Sequence, residues 1–149
     1  MPPTPLVTRE TDIGFNFQVM LDGTEAGFFS AVEGLSRTVQ PFTWQEGGRP
    51  VPHQLVSPAR FGTAILRWGH MERDALWLWA SAVNVGAGFR KTVQIIQLDR
   101  AKVAVRTFTL SRAWPTTWQG ASLDAGQSAV AIEEIHIVYD DLTLTVSAR

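Results

Sequence analysis

The chain has 149 residues with no cysteine, six Trp, eight Phe and one Tyr, and its 13 basic and 14 acidic residues leave a formal net charge of −1. This is one domain's worth of chain, and 45% hydrophobic against 18% charged residues excludes a disordered segment. The balance lacks the broad basic footprint of most nucleic-acid binders, so no sequence-specific nucleic acid binding is expected. Without cysteine there is no disulfide frame, thiolate metal site or cysteine nucleophile.

Residues 1–11 are rich in Pro and Thr and read as an extended N-terminal arm, with residues 12–149 forming a single domain. The arm lacks the cationic start and apolar run of a secretion signal. The longest apolar stretch, ALWLWASAV over residues 75–83, falls well short of the roughly 20 residues that span a bilayer, so no membrane anchor and cytoplasmic assembly are expected. From Ile13 to Leu21 apolar side chains alternate with Gly14, Asn16, Gln18 and Met20, the period of a half-buried strand, and Asp22-Gly23 supplies a hairpin turn. Ala26–Val32 reads as a second strand broken at Glu33-Gly34. An extended run then reaches Glu46, in which Pro41 demands an edge or a bulge.

Residues 47–58 (GGRPVPHQLVSP) hold two Gly and three Pro and are expected to form an irregular excursion, with strand character returning over Arg60–Trp68. One helix is expected over about residues 72–84. Glu72 and Asp74 suit its first turn, Leu76, Trp79, Ala80 and Val83 form its apolar stripe, and Asn84 and Gly86 end it. Strands follow at Thr92–Leu98 and Val103–Leu110 around a turn at residues 99–102, then a knot at Ala113–Trp118, then Val130–Tyr139 running into Leu142–Val146. Many strands, one helix and more strands give a mainly β fold: a single-domain antiparallel β-barrel or sandwich with one packed α-helix.

The chemistry for catalysis is thin. His53, His70 and His136 are isolated, and no metalloprotease, nucleophile-elbow, Walker or dinucleotide fingerprint is present. Gly47-Gly48-Arg49 could be taken for a phosphate cradle, but no helix start follows and prolines remove backbone donors, so it reads as a loop entry. The expectation is therefore no catalytic residue, no cofactor and no metal. Partners leave a clearer mark. Residues 1–46 hold six acids and two bases, 47–89 two and four, 90–119 one and six, and 120–149 five and one, so acidic blocks of −4 flank basic blocks of +2 and +5, and opposite blocks can complement one another between copies. Each fully buried aromatic is worth roughly 2–3 kcal/mol, and this chain carries more of them than a modest core needs, so some are expected at interfaces. Trp77 lies off the helix stripe of Leu76 and Trp79 and is the best candidate for such a contact, whereas Trp114 and Trp118 are expected to wall the core.

The segments FNFQVMLDG, FSAVEGL, WQEGG, ILRWG, ALWLWASAV, AWPTTW and AVAIEEIHIVYDDL, in this order from about Phe15 to Leu142, resemble the inner tube proteins of contractile phage tails and of phage-tail-like injection systems. The resemblance implies a tail-tube-like β-barrel that assembles as homo-hexamers in stacked rings. It also implies sheath protein, baseplate or spike hub proteins and a tube cap as partners, and a payload in the lumen. By position, Glu46, Gly47, Gly48, Arg49, Val51, His53 and Leu55 fall in the family's long loop that reaches toward a neighbouring ring, and with Trp77 they are the inter-ring and inter-subunit candidates. Polar strand positions such as Thr107 and Thr109 are the lumen candidates. Three departures fall where subunits and rings meet: Leu55-Val56-Ser57-Pro58 in the long loop, Trp68 before Gly69, and Tyr139-Asp140-Asp141-Leu142 at the close. They leave open a main tube subunit or a tube-to-baseplate adaptor of the same fold, with a monomeric small-ligand-binding β-barrel as the reading from another class.

Overall fold

The computed structural model describes residues 16–71, 74–84, 88–120 and 130–147. The arm over residues 1–11 and the start of the first predicted strand, including Ile13 and Phe15, lie outside them, as do Glu72 and Gly86. Nine strands and one helix follow in the order β1 (Phe17–Leu21), β2 (Thr24–Glu33), β3 (Arg37–Trp44), β4 (His53–Phe61), β5 (Ala64–Met71), α1 (Ala75–Ala82), β6 (Lys91–Leu98), β7 (Ala104–Gly120), β8 (Val130–Val138) and β9 (Asp141–Val146).

Six strands pair in the order β6-β1-β2-β5-β8-β7, and β7 returns to pair with β6, so the sheet closes into an antiparallel barrel. Closure removes the open edges at which a sheet would otherwise template aggregation. The strand alternation read from the sequence fixes which side faces in. The pairings Leu21↔Val93↔Leu110↔Leu142 and Val19↔Ile95↔Phe108↔Leu144 set apolar side chains in cross-strand rows. Val19, Val93, Ile95 and Leu110 are fully buried, joined by Phe29, Leu66, Ile135 and Ile137 from the far wall.

The turn at Asp22-Gly23 has φ of +48° and +84°, the left-handed pair that a two-residue hairpin requires, and it is the turn read from the sequence. Asp22 also reaches across strands, its carboxylate accepting the Thr92 N–H at 2.8 Å. Gly34 ends β2 at φ +79°, and a Cβ built there would lie 2.1 Å from the Thr63 carbonyl oxygen. Glycine is thus demanded twice, by backbone conformation and by close approach.

Three expectations are corrected. Residues 47–58 are not wholly irregular: β4 begins at His53 and runs through Pro58, pairing with β3 as a two-stranded hairpin. Proline survives there because the hairpin has free edges, and the register shifts between Val39 and Pro41, the bulge that Pro41 predicted. Ala113–Trp118 is no knot but part of the 17-residue β7. β7 does bend beside this run, at Arg112, where φ is +52°. Finally, α1 covers only eight residues, with Asp74 as its N-cap residue and no acid in its first turn. Of the expected stripe, Leu76 and Trp79 are buried, Ala80 is half-buried and Val83 falls past the helix as its C-cap residue; the Trp79 indole donates to the Phe89 carbonyl at 2.7 Å.

Gly34→Ala is expected to destabilise the barrel by about 2 kcal/mol or more, because both the positive φ and the Thr63 contact must be relieved. Urea unfolding followed by tryptophan fluorescence measures it; Gly47→Ala, which meets nothing within 4 Å, is the matched control.

Candidate assembly surfaces

The β3–β4 hairpin stands off the barrel. Its base is tied down by the Gly62 N–H donating to the Ser36 carbonyl at 3.1 Å and by Phe61 packing on Tyr139 with ring centroids 5.8 Å apart. Beyond that base it makes no extended contact with any other element among the described residues. Of the predicted contact residues, Glu46, Gly47, Gly48, Arg49, Val51, His53 and Leu55 all fall on its tip and distal part, and all are exposed. Arg49 organises the tip: its guanidinium is 3.0 Å from His53 Nε2 and 3.7 Å from the Glu46 carboxylate, and its N–H donates to the Glu46 carbonyl at 3.2 Å. At such exposure these polar contacts order the tip more than they stabilise the fold.

Trp77 is not brought to this cluster. It sits on α1, 48% exposed, with its ring edge-on to Trp118 at 5.0 Å. Trp114 and Trp118 pack against the core as expected, Trp114 also meeting Phe89 at 5.9 Å. Thr107 and Thr109 lie on the outward face of the barrel, in the rows Thr145↔Thr107↔Ile96↔Gln18 and Thr143↔Thr109↔Gln94↔Met20. Hydroxyls, amides and a thioether predominate in these rows, with Ile96 among them and Glu25 hydrogen-bonded to Gln18 at their margin, where the inward face has aliphatic and aromatic groups.

Phe42, Trp44 and the edge of β9 escaped sequence reasoning, whereas Val56 and Trp68 belong to the departures noted where subunits and rings meet. Phe42, Trp44 and Val56 are exposed on the hairpin, Val56 at 83%. Their alternation looks the same whether a strand is covered by its own core or by another molecule, so periodicity alone carries no warning. Trp68 is 57% exposed at a φ of +51°, a conformation costly for an aromatic residue. β9 pairs only with β7, which leaves its other edge unpaired among the described residues and Leu144 and Val146 exposed.

Two charged clusters brace the outer wall. Asp140 holds the bend in β7, its carboxylate meeting Arg112 Nε at 2.9 Å and Arg90 Nη1 at 3.4 Å. On β8, Glu134 is hydrogen-bonded to His136 and lies 3.9 Å from Arg67 Nε, and Arg67 also faces Glu33 at 3.7 Å. The hydrogen bond from His136 holds the Glu134 carboxyl below its ordinary value, with desolvation opposing and the Arg67 charge assisting. Among the described residues no group of three His, Cys, Asp or Glu is arranged to hold a metal ion.

A closed barrel with a projecting hairpin, an outlying strand and apolar groups left in solvent defines a structural β-barrel protein whose exposed surfaces suit assembly. The chain belongs to the T4-like virus tail tube protein gp19 family, whose model matches residues 14–143. Among solved structures it is similar to a chain of an extracellular contractile injection system, the PVC sheath-tube complex in its extended state, at 19% identity, covering 94% of this chain and 99% of that one with a TM-score of 0.69. It is also similar to a chain of the anti-feeding prophage baseplate, at 26% identity over 87% and 91% of the two chains with a TM-score of 0.63. Hcp1 from Flavobacterium johnsoniae shares the fold at 13% identity, 89% and 97% coverage and a TM-score of 0.54. Comparison with curated protein sequences finds no match. The chain is therefore a structural subunit of the tail-tube type.

Because the Glu134 value is lowered in the folded protein, its contribution to stability is present above the unfolded value near 4.3 and is lost as pH falls through the lower folded value. Glu134→Gln is expected to flatten the stability profile over that acidic window and leave its shape above about pH 5 unchanged. Urea midpoints measured between pH 2.5 and 6 check this.

Proposed function

We propose that the chain assembles as homo-hexameric rings that stack into the hollow inner tube of a contractile phage tail or phage-tail-like injection system, without catalysis. The observation that carries this reading is the β3–β4 hairpin, which displays Phe42, Trp44, Leu55 and Val56 to solvent although the barrel has a core of its own. A soluble monomer has no use for such a projection, whereas a subunit that reaches its neighbour does. Ring closure has a physical rationale in β9: pairing its open edge with the next copy satisfies unpaired backbone groups and covers Leu144 and Val146.

In this arrangement Glu46, Gly47, Gly48, Arg49, Val51, His53 and Leu55 mediate contacts between rings or subunits, and Trp77 contributes a separate contact on α1. The outward face with Thr107 and Thr109 lines the lumen, through which a payload passes. Sheath, baseplate or spike hub proteins and a tube cap are the further partners, with assembly in the cytoplasm before the particle is used or released.

A second reading, the tube-to-baseplate adaptor, is favoured by the similarity to a baseplate chain of the anti-feeding prophage, which has the highest identity of the three structures compared. The two readings part on self-stacking. Negative-stain microscopy of the purified protein is expected to show six-fold rings that lengthen into tubes with concentration; single rings that never stack would favour the adaptor, and a strict monomer at high concentration, with no ring even when neighbouring tube proteins are added, would falsify both. Replacing residues 45–52 by a two-residue Asn-Gly turn is expected to abolish stacking while leaving the barrel's unfolding midpoint almost unchanged, since those residues contact no core group.

A further inference from the structure

We propose that the apolar face of the β3–β4 hairpin seats in the cleft beside α1 of a second copy of the chain, in a head-to-tail contact. The proposal rests on the reading of the chain as a self-assembling tube subunit and adds the surface that receives the hairpin.

The hairpin register places Phe42 opposite Leu55 and Trp44 opposite His53, and alternation puts these four side chains on one face. Trp44 is 56% exposed, and among the described residues no element beyond the hairpin's base makes extended contact with the hairpin. An isolated two-stranded hairpin is marginal in water, so its apolar face needs a partner to hold the arm in one conformation.

The barrel carries a matching recess. An open cleft of about 500 Å³ lies between α1 and the β1–β2 turn, its wall including Leu21, Leu78, Trp79 and Phe89, with Asp22 and Lys91 beside them. Leu78 is 56% exposed there, an aliphatic side chain turned outward on the helix. The lining is predominantly apolar, the character that an aromatic face requires. Charge does not oppose the contact, because the hairpin tip carries Glu46 with Arg49 and the cleft Asp22 with Lys91, each set balanced in sign.

Geometry then selects the occupant. The cleft borders Thr24 at the start of β2, and the hairpin springs from the strand's other end after Glu33, about 30 Å away along the strand at 3.3 Å per residue. Each chain thus offers a projection at one end of β2 and a recess at the other. Such a pair is complementary to another copy but not self-complementary, so the contact is heterologous and repeats from one copy to the next.

Because the natural chain has no cysteine, introduced thiols are unique. Trp44→Cys and Leu78→Cys proteins are prepared separately, mixed, allowed to assemble and treated with a flexible bismaleimide. A covalent dimer is expected in the mixture, at least five-fold above either variant alone and above a Trp44→Cys with Val103→Cys pair, Val103 being equally exposed but on the β6–β7 turn. In a second arm, Leu78→Asp is expected to raise the concentration needed for tubes at least ten-fold while its urea midpoint stays within error of the parent. Rings and tubes seen by microscopy in the absence of the mixed crosslink overturn the docking alone. A Trp44→Cys sample that crosslinks to itself as strongly as the mixture also overturns it, since that contact is self-complementary. No rings at any concentration in the parent protein remove the assembly reading and the docking together.

Discussion

The pairing of β7 with β6 is the constraint on which the rest of the structure depends. Without it the six strands are an open sheet; with it they enclose Val19, Val93, Ile95 and Leu110 on all sides. β7 can close the barrel because it is long enough to serve three partners. Its first half lies between β6 and β9 and its second half pairs with β8. The bend at Arg112 is the hinge between those halves, and Asp140 fixes it by meeting both Arg112 and Arg90 while its own N–H donates to the Ser111 carbonyl at 2.9 Å. Surface ion pairs of this kind add little stability singly; their role here is to hold one geometry at a strained residue.

Closure also decides what is left over. A barrel that satisfies its own edges leaves, among the described strands, β9 and the β3–β4 hairpin with unpaired edges, and these carry much of the apolar surface still in solvent: Phe42, Trp44, Leu55, Val56, Leu144 and Val146. Core formation and surface display are thus separated along the chain, so the hairpin can be reshaped without touching the packing inside. That separation suits a tail-tube subunit, whose stability and assembly place different demands on the same fold.

Much of this was legible in the sequence. Strand alternation at Phe17–Leu21 and around Ile135 and Ile137, the Asp22-Gly23 turn, the break at Gly34 and the buried pair Leu76 and Trp79 are local features, set by backbone conformation and side-chain period within a few residues. The family segments carried the long loop to its place in the fold, and its predicted contact residues do share the hairpin. What failed was equally physical. Prolines at 50, 52 and 58 suggested irregular chain, yet Pro58 is tolerated in β4 because a two-stranded hairpin has free edges. The run Ala113–Trp118 suggested a knot; Arg112 beside it does bend, but pairing with β6 and β8 on either side carries the strand through.

The sequence by itself determined that this chain is cysteine-free and mainly β with one packed helix, because those properties follow from composition and from short-range periodicity, and left barrel or sandwich to be decided by the pairing of β6 with β7. Only the tertiary structure decided which apolar residues serve the core and which serve the surface. Phe29 and Phe42 stand in similar alternating strands, yet one is fully buried and the other is exposed. The difference lies in whether a second wall of the barrel stands opposite the strand, and that is settled by pairings between residues far apart in the chain. For the same reason the cleft beside α1 is absent from any one segment: Leu21, Leu78 and Phe89 come from three separate stretches, and closure of the barrel brings them together.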